Sequence, residues 1–575
     1  MQENLDYMEY SILVDTYEKL EKTPSKLGKL DILSELFLKT PSEKLPRVAL
    51  LIVGRVFPAY SEYELGIATQ MMIKAISKAT GFSPGEIEKK FKNKGDLGLA
   101  TEECVKSRKQ RILFKKELTV NNVFENLQKL AFVTGVGSQE RKLNLIAELL
   151  TSAKAKEARY IVRTILQELR IGVAEGIMRD AIVKAFLTRE DMTKEDKNEM
   201  INAVEYAWNV LSDFGEIAKI VKEKGIDGLK KVKIQLGKPV RVMLGEKAES
   251  IEDVIKDFGK VAAEYKYDGM RAQIHKKDDK IWVYTRRLED VTKQFPDLVK
   301  ICKEGLKPRE CIVEGEALGI SPKTRLPLPF QMLSQRIHRK YDIEKMVKEI
   351  PIQLHLFDVV YLDGKPLFNK SFTDRRKLLE GIIKVIPNKL QLAKQLVTDD
   401  IKKIEKFYKE ALNAKQEGLF LKVLGSKYVF GRHVGGWYKI KPIMETLDLV
   451  IIGATWGVGS RANWLSSYVL ACRDPDTGKI LPCGMMGTGL TEEQFQMMTD
   501  TLKDLILKEK GRKVVLKPKV VVEVAYQEIQ KSPNYESGYA LRFPRLIKIR
   551  EDKSPDETDT LKRVSDLFKT QGRAG

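Results

Sequence analysis

The feature of the sequence with the clearest chemical potential is a lysine placed just before an acidic turn. Residues 264–271 read Glu-Tyr-Lys-Tyr-Asp-Gly-Met-Arg, with Lys266 ahead of Asp268 and Gly269. A lysine amine has an ordinary pKa of about 10.4 and is a poor nucleophile while protonated. Nearby positive charge or a metal ion lowers that pKa, so that the amine can attack a phosphorus or carbonyl centre. Taken alone, a motif of this kind is more often only a charged hairpin turn, because short motifs match by chance.

Further charged and aromatic motifs follow Lys266 in order over roughly half of the chain. Most of these motifs contain Arg, Lys, Glu or Phe next to a short apolar run. They occupy residues 285–290, 313–317, 356–358, 417–422, 437–441, 542–545 and 550–553. Each is short and would carry little weight alone, whereas the ordered series is far more specific.

The elements that position these motifs differ along the chain. Up to about residue 225 the pattern is helical: Ala158, Ile161, Val162, Ile165, Leu166 and Leu169 form one apolar stripe of an amphipathic helix. From about residue 260 alternating runs indicate strands, such as the one that carries Ile281 and Val283 on one face, and helices intervene, as expected for an α+β domain. Beyond residue 442 short strands with Gly-rich connections predict a small β-barrel, closed by a helix over 556–570.

The overall composition favours a polyanionic partner. The chain has 575 residues, with 101 Lys+Arg against 80 Asp+Glu and a net charge of +21, which suits nucleic acid or an anionic membrane surface. No apolar run is long enough for a membrane span, and the N-terminus does not have the pattern of a signal peptide. None of the five cysteines forms a Cys-x-x-Cys pair, so neither zinc nor a disulfide framework is indicated. We expect a soluble, intracellular protein with reduced thiols.

In their order and spacing, the motifs resemble the covalent nucleotidyltransferase superfamily, and within it the ATP-dependent DNA ligases of the archaeal and eukaryotic replicative type. Residues 95–98 (Gly-Asp-Leu-Gly) and 169–175 look like the helical DNA-binding domain of that family, and residues 448–454 look like the first strand of its oligonucleotide-binding barrel. The resemblance therefore implies a multidomain protein with an all-α N-terminal DNA-binding domain, an α+β nucleotidyltransferase (adenylation) domain and a C-terminal OB-fold β-barrel. The expected boundaries are 1–230, 231–442 and 443–575.

The resemblance also implies the reaction. Lys266 would attack the α-phosphorus of ATP, release pyrophosphate and hold AMP as a phosphoramidate. The AMP would then pass to the 5′-phosphate of a nick in duplex DNA, which is sealed with the 3′-hydroxyl in replication, repair and recombination. The implied cofactors are ATP and Mg²⁺ (or Mn²⁺), and the expected state is a monomer in the cytoplasm, associated with the nucleoid.

Roles for four pocket residues come from the same resemblance. Phe357 would stack on adenine, and Glu264 would contact the adenine edge. Glu316 would contact the ribose or a metal ion, and Glu417 would hold Mg²⁺, which neutralises developing phosphate charge. Without the other motifs, Phe357 would pass for a core aromatic and each carboxylate for a surface residue.

Basic residues would bind phosphate groups. The resemblance assigns Arg271 and Arg286 to the binding of phosphate groups, and Arg286 in particular to the 5′-phosphate at the nick. Arg432 is a weaker candidate for phosphate binding. Arg170 and Gly172 belong to the segment that looks like the DNA-binding domain.

Two pairs of basic residues stand in the last motifs. Lys439 and Lys441 are two apart on a strand and share a face, so that both could reach the AMP phosphate and lower the pKa of Lys266. Arg542 and Arg550 resemble positions of the last family motif, which orients pyrophosphate when ATP binds. The barrel would therefore swing about a hinge near residues 441–442.

A short apolar segment predicts a protein partner. Gln110 with Leu113 and Phe114 looks like a shortened sliding-clamp-binding box, in which the apolar pair fills a pocket and the amide forms a directional hydrogen bond. The alternative is that the same apolar residues begin an element and pack inward.

Three other functions are compatible with parts of the sequence. An RNA-capping guanylyltransferase shares the Lys-x-Asp-Gly chemistry but lacks a long helical domain. An NAD-dependent ligase would carry a four-cysteine zinc site, which the isolated cysteines do not supply. A DNA-binding scaffold with an inactive catalytic domain is opposed by the intact set Lys266, Glu417, Lys439 and Lys441.

Overall fold

The computed structural model describes residues 8–108, 117–337, 339, 341–431, 435–441 and 445–570. Its contacts divide the chain into two compact units. The first contains residues 1–75 and 111–441, and the second contains residues 76–110 and 442–575. In the described parts of the chain no helix is both long and apolar enough to cross a membrane.

The N-terminal part is helical, as predicted. Helix α5 begins with a capping box in which Ser83 and Glu86 satisfy each other's backbone amides, and α11 begins with the same arrangement at Thr193 and Asp196. The bounds of α1 to α12 are Tyr10–Lys22, Lys26–Lys39, Leu45–Ile52, Thr69–Thr80, Pro84–Lys94, Leu97–Lys106, Val120–Phe132, Ser138–Ser152, Ala155–Ile165, Glu175–Phe186, Lys194–Leu211 and Phe214–Lys230.

One predicted helix is shorter than its apolar stripe. Helix α9 ends at Ile165, so that Leu166 and Leu169 lie beyond it, and the prediction was wrong there. Gln167 adopts a positive φ of 56°, a left-handed conformation that ends a helix. Both leucines belong instead to the turn and loop that lead to Gly172.

The central part contains two sheets. Its strands β1 to β11 are Glu246–Lys247, Val261–Lys266, Met270–Lys277, Lys280–Thr285, Glu310–Gly319, Ile352–Leu362, Lys365–Pro366, Leu390–Leu392, Gln395–Thr398, Gly418–Val423 and Trp437–Ile440. Its helices α13 to α18 are Ile251–Phe258, Pro296–Gly305, Phe330–Ile337, Ile343–Glu349, Phe372–Ile382 and Ile401–Asn413. One sheet has the order β1-β11-β10-β2-β9, and the other has the order β4-β3-β5-β6-β7 with β8 beside β6.

Each central sheet has its own apolar core. The five-stranded sheet packs with α13 and α18, and the other sheet packs with α14 and α17. Ile281 and Val283 share the buried face of β4, as their spacing predicted. The central part is therefore α+β, and its two sheets carry the motifs between residues 264 and 441.

The last part is rich in antiparallel strands. Strands β12 to β20 are Leu447–Trp456, Leu465–Arg473, Ile480–Met486, Ile506–Lys510, Lys513–Leu516, Val521–Ala525, Glu528–Lys531, Tyr539–Arg542 and Arg545–Ile549, with α19 at Glu492–Lys503 and α20 at Leu561–Thr570. Strand β12 pairs with β13 on one side and with β16 and β17 on the other. The strand-rich, OB-like character is confirmed, although pairing within residues 445–570 does not close the sheet into a barrel.

A buried ion pair joins helix α17 to strand β6 in the central part. Arg375 of α17 donates to both oxygens of Asp358 on β6, at 2.8 and 3.0 Å, and both side chains are fully buried. Arg375 also donates to the carbonyls of Lys370 and Ser426. Asp358 follows Phe357, so this pair fixes the strand position of a predicted pocket residue.

We expect Arg375→Ala to destabilise the central part by about 3–5 kcal/mol, because it leaves the Asp358 carboxylate buried without its partner. Scanning calorimetry would show this as a lower transition temperature. The matched control is Arg309→Ala, which removes the exposed pair with Asp278 and should leave the transition temperature almost unchanged. Equal shifts in the two variants would contradict the role given to the buried pair.

Candidate active site

Three strand ends bring the predicted catalytic residues together. Strand β2 ends at Lys266, and β10 begins opposite it, with Gly418 paired to Lys266. Strand β11 lies on the other side of β10, with Leu419 paired to Ile440, so Lys441 emerges at the same edge. Residues distant in sequence thereby meet at one end of the five-stranded sheet.

Gly418 makes this close approach possible. It has a φ of 135°, and a Cβ atom placed on it would lie 2.2 Å from the carbonyl oxygen of Ile440. Only glycine fits such a backbone position without displacement. It follows that the motif needs glycine directly after Glu417.

The carboxylate of Glu417 lies between two lysines. The Nζ atoms of Lys266 and Lys441 are each 2.5 Å from its Oε2 atom. Burial alone would raise the pKa of Glu417, but the charges and hydrogen bonds of the two lysines outweigh it and lower this pKa to about 2. Glu417 is therefore ionised at neutral pH and holds both amines in place.

Two further cations complete the basic side of the site. Burial lowers the pKa of Lys439, and the positive charges of Lys441, Lys266 and Arg286 lower it further. The predicted phosphate-binding residues Arg286, Lys439 and Lys441 are thus close enough for their charges to act on one another. Such a cluster favours an anionic ligand.

Glu316 faces this cluster from the other sheet. Strand β5 places Glu316 opposite Arg271 of β3. Burial raises the pKa of Glu316 to about 8, although Lys266 and Arg271 oppose the rise, and the carboxylates of Glu417 and Asp268 add to it. Glu316 and Glu417 are therefore two neighbouring carboxyl groups in opposite protonation states at neutral pH.

Aromatic side chains form the apolar part of the pocket. Phe357 of β6 lies edge-on to Trp437 of β11, with ring centres 5.9 Å apart. The Nζ atom of Lys266 lies 5.6 Å from the ring centre of Phe420. Phe357 is half-buried, so part of its ring stays accessible, as stacking on a flat base requires.

Glu264 lies deeper than the sequence suggested. It is only 1 % exposed and forms an ion pair with Lys422 at 2.6 Å, and Gln395 donates a 2.8 Å hydrogen bond to it. Burial lowers the pKa of Lys422, whose Nζ lies 4.0 Å from the ring centre of Trp437 and 4.6 Å from that of Phe357. Sequence reasoning missed Lys422, although it stands two residues after Phe420 in a quoted motif and therefore shares its face.

Arg271 is engaged with the protein itself. It donates to the carbonyl of Met243 at 2.6 Å and to Glu314 at 2.8 Å, and its guanidinium carbon lies 5.3 Å from the ring centre of Phe357. Tyr428 donates to the same Glu314 oxygen at 2.9 Å. In this arrangement Arg271 supports the pocket wall, and phosphate binding by Arg271 stays a prediction.

Other predicted residues lie elsewhere. Arg432 and the residues of the predicted clamp-binding segment, Gln110, Leu113 and Phe114, lie outside the described residues. Arg170 and Gly172 have positive φ in the loop after α9, and Lys29 donates to the carbonyl of Gly172 at 3.2 Å. Their role in binding DNA stays a prediction.

The second unit holds the last motif. Arg542 donates to Glu528 at 2.8 Å and its guanidinium carbon lies 5.2 Å from the ring centre of Phe543. Phe543, which sequence reasoning passed over, is 59 % exposed at a φ of 49°. An exposed aromatic side chain on a strained turn between Arg542 and Arg545 has the features of a binding residue.

A cavity of about 910 Å³ lies within the first unit beside Arg286. Its lining comes from the helical and central parts and carries both signs of charge. The charged lining residues are Arg55, Arg241, Arg286, Arg287, Glu64, Glu175, Asp213 and Glu289. Because cationic and anionic side chains both line this cavity, its charge alone does not indicate a nucleotide-binding site.

No cluster in the described parts of the chain could hold a metal ion through three or more His, Cys, Asp or Glu side chains. Two carboxyl groups, Glu316 and Glu417, do lie at the pocket. Mg²⁺ characteristically binds through one or two carboxylates together with substrate phosphates. The residues present fit an ion that is bound jointly with a polyphosphate.

Comparison with known proteins identifies the family. Three family models match: "DNA ligase N terminus" at residues 9–183, "ATP dependent DNA ligase domain" at 242–441 and "ATP dependent DNA ligase C terminal region" at 461–553. A DNA ligase of Nanoarchaeum equitans is 47 % identical over 98 % of this chain and 99 % of its own, and one of Thermococcus onnurineus is 46 % identical over the same shares. One of Archaeoglobus fulgidus is 43 % identical over 96 % of this chain and 97 % of its own.

A solved structure, Pmar-Lig_PreS3, has a similar fold. Its TM-score is 0.56 at 18 % identity, and the match covers 94 % of this chain and 99 % of that one. With three family models covering most of the sequence and relatives above 40 % identity along nearly all of it, this chain belongs to the family of ATP-dependent DNA ligases.

Proposed function

We propose that this ligase seals nicks in duplex DNA through an AMP group carried on Lys266. The observation that carries the proposal is the position of the Lys266 amine, 2.5 Å from Glu417 and beside Lys441 and Lys439. An amine held among phosphate-binding cations, next to an aromatic wall, suits attack on the α-phosphorus of ATP.

In the first step the Nζ of Lys266 forms a bond to the α-phosphorus, and the bond from that phosphorus to the pyrophosphate oxygen breaks. The ammonium first gives one proton to solvent, which leaves a nucleophilic amine, and the nitrogen gives up a second proton to solvent as the P–N bond forms. Lys439 and Lys441 stabilise the negative charge that develops on the phosphate oxygens, because they are positioned before the reaction. Phe357 holds the base by stacking. Glu264 is paired with Lys422, whose Nζ atom lies 4.6 Å from the ring centre of Phe357.

Mg²⁺ or Mn²⁺ would be held by Glu417 and Glu316 together with the phosphates. When bound, the ion neutralises phosphate charge. Glu417 must then share its carboxylate between the ion and the two lysines, and Glu316 must lose the proton that its raised pKa retains.

In the later steps the AMP passes to the 5′-phosphate at the nick, and the 3′-hydroxyl displaces it. Arg286 and, in the helical part, the loop with Arg170 and Gly172 would bind DNA phosphates, which position the duplex without reading its sequence. Phe543 would insert an apolar wedge beside the nick, as exposed aromatic side chains do in minor grooves.

The cellular setting extends this proposal. We place the enzyme in replication, repair and recombination, acting as a monomer on nucleoid DNA. The segment with Gln110, Leu113 and Phe114 would tether it to a sliding clamp and so raise its effective concentration at nicks. The composition of that segment supports this assignment.

Lys266→Ala should abolish the labelling of the protein by α-labelled ATP, because it removes the amine that forms the bond to the α-phosphorus. Denaturing electrophoresis measures the label. Binding of nicked DNA should persist, since phosphate contacts are spread over many basic residues. Lys277→Ala, on strand β3 of the other central sheet, is the matched control and should label normally. A labelled Lys266→Ala protein would refute the assignment.

The metal requirement should depend on pH through Glu316. Its pKa of about 8 means that the carboxyl keeps its proton below that pH, whereas metal binding needs the carboxylate. The Mg²⁺ concentration for half-maximal AMP-enzyme formation should therefore fall by up to about tenfold per pH unit between about pH 6 and 8, then level off.

Glu316→Gln should remove this pH dependence and raise the metal requirement at every pH. Glu310→Gln, at the half-buried start of the same strand, should keep the wild-type profile. An identical profile in wild type and Glu316→Gln would show that titration of ATP or another group causes it.

Phe543→Ala should slow the sealing of a nick that already carries a 5′-adenylate by about tenfold or more, because one base contact of this kind contributes about 1–3 kcal/mol. AMP-enzyme formation should change by less than about twofold. Ile547→Ala removes another exposed apolar side chain of the same domain and should have little effect. Equal effects of Phe543→Ala on both half-reactions would rule out a role specific to DNA.

A further inference from the structure

Asp448 links two basic residues of the last motif in the second unit. Arg550 donates from Nη1 to both carboxylate oxygens of Asp448, at 3.0 and 2.8 Å. Lys553 donates to the Oδ2 atom of the same carboxylate at 2.6 Å. One carboxylate thus holds two cations that would otherwise repel each other.

A second carboxylate fixes the other edge of Arg550. Its Nε and Nη2 atoms donate to the two oxygens of Asp552 at 2.9 and 2.7 Å. The hydrogen bonds of Arg550 lower the pKa of Asp552 far below its usual range. Arg550 forms four hydrogen bonds with the two carboxylates and Lys553 forms one. A guanidinium has five N–H groups and an ammonium has three, so both side chains keep donors for a second ligand.

The backbone of Asp448 is fixed as well. Its amide donates to Asp559 at 2.8 Å, and its carbonyl accepts from the amide of Asp559 at 2.8 Å. Asp448 is the second residue of β12, close after the predicted hinge at residues 441–442. The side chain of Asp448 is only 13 % exposed, so its carboxylate has a defined position rather than a solvated one.

We propose that Asp448 is a positioning residue for the formation of the AMP-enzyme. It holds the guanidinium of Arg550 and the ammonium of Lys553 side by side, so that their remaining donors bind the pyrophosphate group as it leaves ATP. This inference rests on the proposed pyrophosphate-binding role of Arg550. Asp448 itself touches no reacting atom, and its effect reaches the reaction through the two basic side chains.

The competing explanation is that Asp448 only stabilises the strand-rich domain. The two explanations differ in what they change. A stabilising residue would lower the melting temperature and reduce all steps in proportion to the folded fraction. A positioning residue would change the concentrations of ATP and pyrophosphate that half-saturate the enzyme, while the sealing of pre-adenylated DNA is spared because pyrophosphate has already left.

The test uses the full-length enzyme with Asp448→Asn, which keeps the shape of the side chain and removes its charge. Three quantities are measured: the rate of AMP-enzyme formation against ATP concentration, the pyrophosphate-driven return of the AMP-enzyme to ATP, and the sealing of a pre-adenylated nick. We expect the half-saturating concentrations of ATP and pyrophosphate to rise by about tenfold and sealing to change by less than about threefold.

Glu445→Gln is the matched control, because it removes an exposed ion pair with Arg563 in the same unit. It should leave all three quantities unchanged. Lys553→Met removes the other partner of Asp448 and should reproduce the Asp448→Asn pattern, which keeps the proposal testable if Asp448→Asn folds poorly. Arg550→Ala, assayed in parallel, tests the underlying assignment.

The outcomes separate the two claims. If Arg550→Ala leaves pyrophosphate use unchanged, the proposed function of Arg550 fails. If Arg550→Ala impairs it while Asp448→Asn and Lys553→Met do not, the positioning role of Asp448 fails alone. An equal loss in all three quantities, accompanied by a lower melting temperature, would make Asp448 a stabilising residue and overturn the proposal.

Discussion

The site depends on one carboxylate oxygen shared by two ammonium groups. Lys266 and Lys441 both lie 2.5 Å from Glu417 Oε2, in a partly buried pocket where an unpaired charge would be costly. The arrangement requires three strand ends to meet, and Gly418 is the residue that lets them do so. Loss of the Glu417 charge would leave the two ammonium groups side by side without a counter-charge, so the position of the reactive amine and the charge of the site depend on the same carboxylate.

The sheet that contains β5 and β6 supplies the aromatic residue and the second carboxyl group of the site. It contributes Phe357 as the aromatic wall and Glu316 as a carboxyl group whose pKa is raised to about 8 by burial. Buried ionic contacts hold this wall: Arg271 joins Glu314 behind Phe357, and Arg375 joins the adjacent Asp358. These ion pairs allow charged residues of the motifs to be buried, because each of these charges has a partner of opposite sign.

The element types and the central residues of the site could be predicted from the sequence, whereas several contacts could not. Apolar periodicity predicted the helices and strands. It did not predict the end of α9, because the left-handed conformation of Gln167 leaves no trace in that periodicity. The resemblance identified Lys266, Glu417 and Lys441, whose meeting depends on strand order. Lys422 and Phe543 were missed because burial among rings and exposure on a strained turn are properties of the folded chain. The contacts of Asp448 likewise depend on tertiary pairing.

The central claim is that Lys266 is the residue that carries AMP, and peptide mapping of the wild-type protein tests it directly. The protein is incubated with ATP and Mg²⁺, digested under conditions that preserve a phosphoramidate, and analysed by fragmentation mass spectrometry. We expect the mass of AMP on the peptide that contains Lys266, at the lysine itself. AMP on Lys439, on Lys441 or on any other residue, with Lys266 unmodified, would contradict the account.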